Sequence, residues 1–187
     1  SGFIDVIQLL LDHSDKIELN GRDFNGTTAF MQPCHSGGYD AVQLLLDHSD
    51  KIELNAKANR GITAFMFACH SGHKAVLQLL LDNSDKIELN AKDDNECTAF
   101  MHACKNGNTG VVRLLLDHSD KIELNAKTDT GLTAFRFACN LGRTDVVQLL
   151  LDHSDKIELN ARDDNEWTAF MHACQNGPTD VVKLLLD

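Results

Sequence analysis

The nonapeptide Asp-His-Ser-Asp-Lys-Ile-Glu-Leu-Asn begins at Asp12 and returns at Asp47, Asp117 and Asp152, with a near-copy at Asp82 in which Asn83 replaces the histidine. Each step is 35 residues. A strict period of this length marks a stacked array of one supersecondary unit, each copy touching only its neighbours. It constrains function too. An array of like units offers a surface for a partner, and a reaction centre would stand out as a departure from the repeat.

The 187 residues therefore read as one array, not two domains. With 43% hydrophobic residues the chain can bury a continuous core. No apolar run is long enough to span a bilayer, and no secretory signal is visible. Of the net charge of −11, each nonapeptide carries −2, so five copies account for −10. The acidity belongs to one recurring connector. A solvated edge explains it, with docking of a cationic partner as the alternative. Such charge argues against binding a nucleic-acid backbone.

Five of the six cysteines, Cys34, Cys69, Cys104, Cys139 and Cys174, share one repeat position. Equivalent sites in stacked helices lie about 8–10 Å apart, beyond the roughly 7 Å a disulfide allows. The column cannot crosslink or converge on a metal. Small core residues in a reducing, intracellular compartment are expected. Cys97 lies off the column on a variable face and is expected to react first.

Within each unit Thr-Ala-Phe opens a helical pattern, at Thr28, Thr63, Thr98, Thr133 and Thr168. Threonine caps a helix by accepting a first-turn N–H. Phe30, Pro33 (alanine in the other units) and Cys34 then follow at i, i+3, i+4 spacing. Gly37, Gly72, Gly107, Gly142 and Gly177 are placed to end that helix in the left-handed conformation. A more apolar second helix follows, as in Thr144-Asp145-Val146-Val147-Gln148-Leu149-Leu150-Leu151. Then come the acidic connector and a polar turn such as Asp23-Phe24-Asn25-Gly26.

In this order the residues resemble the ankyrin repeat family, five times over and along essentially the entire chain. The resemblance implies an all-α solenoid of helix-turn-helix units with short hairpin loops. It divides residues 1–187 into a partial repeat at 1–20 and units near 21–55, 56–90, 91–125, 126–160 and 161–187. Departures are systematic. Thr-Ala-Phe-Met replaces the usual Thr-Pro-Leu-His, with Arg136 in the fourth unit, and the two residues beyond the usual 33 fall in the connector. Glu96 and Glu166 replace the turn glycines Gly26, Gly61 and Gly131, so local hairpin changes are expected. Neither end resembles a polar cap, and an excerpt of a longer array is expected.

Catalytic chemistry finds no footing. His13, His48, His118 and His153 each follow a Leu-Leu-Leu-Asp helix end, where a cation interacts favourably with the helix dipole. His102 and His172 are two units apart, too far to share a metal. No metalloprotease, phosphate-loop or nucleophile-elbow motif appears. Asp93-Asp94-Asn95-Glu96 lacks the alternation of a calcium loop. No enzyme, cofactor or metal is expected. The family resemblance further implies that the closing residues Asn20, Asn55, Asn90, Asn125 and Asn160 are possible targets of asparaginyl hydroxylases.

The differences between copies carry more. Before each Thr stand Thr27, Ile62, Cys97, Leu132 and Trp167; two residues after each Phe stand Gln32, Phe67, His102, Phe137 and His172. The first helix ends in His35, His70, Lys105, Asn140 and Gln175. In the resembled family these positions face the groove and hairpin fingers. Exposed apolar bulk there marks an interaction site. The expected protein-binding residues are Ile62, Phe67, Leu132, Phe137 and Trp167, oriented by Arg60, Lys105 and Arg136, in a chain acting as a monomer. The alternative is a structural or elastic spacer with no groove ligand. The third and fifth units also match each other, as do the second and fourth, an alternation that duplication of a two-unit block would produce, with a periodic partner as the alternative.

Overall fold

Threonine capping sets the start of the short helices. In a computed structural model describing residues 2–186, the hydroxyls of Thr63, Thr98, Thr133 and Thr168 accept the N–H groups of Met66, Met101, Arg136 and Met171. The elements in order are α1 (Gly2–Asp12), α2 (Met31–Ser36), α3 (Tyr39–Asp47), α4 (Ala64–Ser71), α5 (Lys74–Asp82), α6 (Ala99–Asn106), α7 (Thr109–Asp117), α8 (Ala134–Asn140), α9 (Thr144–Leu151), α10 (Ala169–Asn176) and α11 (Thr179–Leu186). Among the described residues there is no strand, only an isolated bridge between Lys92 and Thr98.

The helices pack in two rows. The shorter row runs α2, α4, α6, α8, α10, and the second runs α1, α3, α5, α7, α9, α11. Phe30, Phe65, Phe100 and Phe135 are buried between neighbours of the first row, with Cys34, Cys69, Cys104 and Cys139 beside them. Leu46, Leu80, Leu115 and Leu150 are buried in the second. The acidic connector is anchored as well as solvated. Ile52, Ile87, Ile122 and Ile157 are buried, while the glutamates that follow them point out. No described helix is long and apolar enough to cross a membrane.

Three local expectations are corrected. The first short helix begins at Met31 because Pro33 has no N–H to close the bond to residue 29. Thr28 is buried, its hydroxyl has no partner, and the cap is lost. Gly37, Gly72, Gly107 and Gly142 have φ between 65° and 82°, but Gly177 has φ −81°. The proline at 178 drives the preceding residue into extended backbone. The glutamates do not remodel their hairpins. Glu96 and Glu166 keep the left-handed conformation, at φ 57° and 62°, beside Gly26 at 72° and Gly131 at 76°. The Asp93 and Asp163 carboxylates hold those turns by accepting the N–H groups of Asn95 and Cys97, and of Asn165 and Trp167.

Candidate functional site

The variable positions come together along one face, formed by the short helices and the hairpins before them. Stacking brings the penultimate residue of one short helix against the middle of the next, 32 residues later. The His35 ring meets Phe67 edge-on at 5.3 Å, His70 lies 6.3 Å from His102, and Lys105 Nζ sits 5.7 Å over the Phe137 ring. A diagonal ladder of imidazole, lysine and phenyl side chains therefore lines the groove. Trp167 packs on His172 of its own unit at 4.9 Å.

Ile62, Phe67, Leu132, Phe137 and Trp167 are half-buried, not fully exposed; His35 covers one side of Phe67, Lys105 one side of Phe137 and His172 one side of Trp167. Arg60 and Lys105 are exposed. Arg60 has φ 67° at a hairpin tip, and its carbonyl accepts the N–H of Asp94 in the next finger. Arg136 is held differently. It occupies the column of Met31, Met66 and Met101, and its Nη1 donates to Asp163 Oδ2 of the next unit at 2.7 Å. Its Nε is buried without a partner. The same Asp163 oxygen lies 2.9 Å from His172 Nε2. Burial alone would raise the Asp163 carboxyl. The Trp167 N–H, His172, the Asn165 N–H and Arg136 outweigh it and hold it at about 2.

The two-unit alternation now has a physical counterpart. His102 Nε2 lies 2.9 Å from Asp93 Oδ2, as His172 does from Asp163. In the second and fourth units the corresponding pairs are Ala58 with Phe67 and Thr128 with Phe137. In the third and fifth units the aspartate accompanies the histidine because the two touch. The sequence signal was available: positions nine apart change together.

Two chambers open on this face. One, of about 270 Å³, lies between α2, α4 and α6 over Ile62, Met66 and Phe67. The other, of about 400 Å³, lies over Cys97, Leu132 and Phe137 and is edged by Asp94 and Asp129. His102 and Lys105 border both. Elsewhere an apolar recess of about 370 Å³ separates α1 from α2. It is lined mainly by apolar side chains, among them Ile7 and Leu11 of α1, Pro33 of α2 and Leu45 of α3.

The remaining polar residues serve the stack. Asn20, Asn55, Asn90 and Asn125 each donate to a lysine carbonyl in the next connector (Lys51, Lys86, Lys121 and Lys156) at 2.9–3.0 Å. Each also accepts a glutamate N–H two residues further on, at 2.8–2.9 Å. The pairing joins residues 31 and 33 positions apart, so no pattern within one unit showed it. His13, His48, His118 and His153 place Nδ1 2.8–2.9 Å from the carbonyl four residues back, and Asn83 Nδ2 does the same. A neutral donor suffices there, which explains the exchange. No group of three His, Cys, Asp or Glu able to hold a metal occurs among the described residues.

The thiols depart from expectation. Cys97 is buried against its hairpin, whereas Cys174 is exposed because no described helix covers the outer side of α10. Burial pushes the thiols of Cys34, Cys69 and Cys104 far up, and that of Cys139 up to about 12.

The family model for ankyrin repeats (3 copies) matches residues 51–128 and 121–187. No curated protein matches the chain.

Proposed function

We propose that this chain, which belongs to the ankyrin repeat family, holds a partner protein in its groove and hairpin fingers and catalyses no reaction. Ankyrin repeats are in general protein–protein interaction modules and typically non-catalytic. The observation that carries the reading is the distribution of change. Connectors and second helices are nearly constant, while the ladder face varies and carries half-buried aromatic and aliphatic bulk. Ile62, Phe67, Leu132, Phe137 and Trp167 supply the apolar contacts. Arg60 and Lys105 supply exposed charge, and Arg136 acts through its ion pair by fixing the hairpin that carries Trp167.

A pull-down with the wild-type chain and a Phe67→Ala, Phe137→Ala, Trp167→Ala variant tests this. As a hot spot, Trp167 is expected to weaken the complex by about 2 kcal/mol or more when truncated. Its effect on stability is expected to stay near the 0.5–1.5 kcal/mol of an aromatic pair. A partner retained undiminished by the triple variant would move the site off this face. The spacer reading is favoured by one observation, the row of asparagine side chains joining successive connectors. It predicts that no ladder-dependent partner is captured.

A further inference from the structure

The chamber between α2, α4 and α6 inverts the charge of the protein. The chain carries −11, yet no carboxylate lines this chamber. Its polar walls are the guanidinium of Arg60, the ammonium of Lys105, the amide of Asn106 and the imidazoles of His35, His70 and His102. Asp93, outside the lining, stands behind His102, with its Oδ2 engaged by that ring and its Oδ1 by the N–H groups of Asn95 and Cys97. We propose that this chamber takes an acidic segment of a partner protein, with carboxylate side chains against Arg60, Lys105 and the histidines and an apolar side chain on Ile62 and Phe67. The inference rests on the groove-docking function above and names the chemistry of the partner.

Two further features point the same way. Lys105 and the three imidazoles lie together with no carboxylate on the lining, and burial first, then His102, His35 and Lys105, lowers the pKa of His70. A carboxylate placed among them supplies the counter-charge. The cations are also spread along an exposed rim over an apolar floor, not aimed at one buried point. That arrangement suits several carboxylates on an extended chain better than a single small anion. Beyond the wall of His102 and Lys105, the second chamber is edged by Asp94 and Asp129 and repels the same segment. The docked chain is thus oriented, with its acids toward the chamber of Arg60 and His70 and away from Asp94 and Asp129.

The test selects a random-peptide phage library on the intact 187-residue chain and titrates the enriched peptides. They are expected to be rich in Asp and Glu next to an aromatic or branched apolar residue. Their affinity should fall by roughly tenfold or more on Arg60→Glu, Lys105→Glu, and also as salt is raised past a Debye length of about 8 Å. Circular dichroism melts verify that the variant is folded. Enriched peptides without acidic bias, acidic peptides bound undiminished by the charge-reversed variant, or no enrichment at all would each overturn the proposal. The docking function is read separately with Phe67→Ala. Acid-free peptides that lose affinity on Phe67→Ala leave groove docking standing while the acidic-partner inference falls. Peptides indifferent to every groove substitution remove both.

Discussion

Truncation of Asn90 isolates the force that joins one unit to the next. In the folded chain its Nδ2 donates to the Lys121 carbonyl and its Oδ1 accepts the Glu123 N–H, both at 2.9 Å. A net hydrogen bond contributes about 0.5–1.5 kcal/mol, so Asn90→Ala removes about 1–3 kcal/mol from that junction. Asn90 is half-buried, and water can reach the groups left behind, which places the cost at about 1–2 kcal/mol. Asn160 is the internal control. It fills the same repeat position but is exposed and has no hydrogen-bond partner among the described residues, so Asn160→Ala should stay within about 0.5 kcal/mol. Because a repeat array need not unfold as one unit, the assay is residue-resolved hydrogen exchange alongside urea melts. The Glu123 amide should exchange about tenfold faster in Asn90→Ala, since 1.4 kcal/mol is a factor of ten. Asn90→Asp should be at least as damaging, because it sets a carboxylate oxygen against the Lys121 carbonyl. Equal costs for Asn90→Ala and Asn160→Ala would refute the reasoning and return these residues to mere surface.

Alkylation followed by mass spectrometry should find Cys174 modified first and Cys34, Cys69, Cys97, Cys104 and Cys139 slow, since all five are buried; rapid labelling of Cys97 would contradict its packing. Asp163 has a folded pKa of about 2, below the usual value near 3.9, so its stabilising contribution is complete above about pH 4 and lost as pH falls through 2. Trp167 fluorescence should report that acid step, and Asp163→Asn should abolish it. Pro33→Ala restores the missing N–H and lets Thr28 cap the short helix, raising stability by about 1–2 kcal/mol in a urea melt; an unchanged midpoint would show that the orphaned hydroxyl costs nothing.

What the sequence decided is what repeats locally. The 35-residue period follows from the recurrence itself, and the capping threonines, the buried Phe and Cys columns and the Val-Val-x-Leu-Leu-Leu helices follow from patterns within a dozen residues. Local sterics also explain the exceptions at Pro33 and Gly177 once the prolines are weighed. The turn at Glu96 was not legible that way. Its left-handed backbone is held by the Asp93 carboxylate and by a bond from Asp94 to the neighbouring finger, which compensate a strain that propensity alone would avoid. The variable face could be marked from copy-to-copy differences. Its chemistry could not, because the contacts that define it join residues 27 to 35 positions apart, as in His35 with Phe67, Arg136 with Asp163 and Asn90 with Lys121. Stacking sets those spacings. A side chain that reads as a free cation in one unit, as Arg136 does, finds its counter-charge only when the next unit is laid against it.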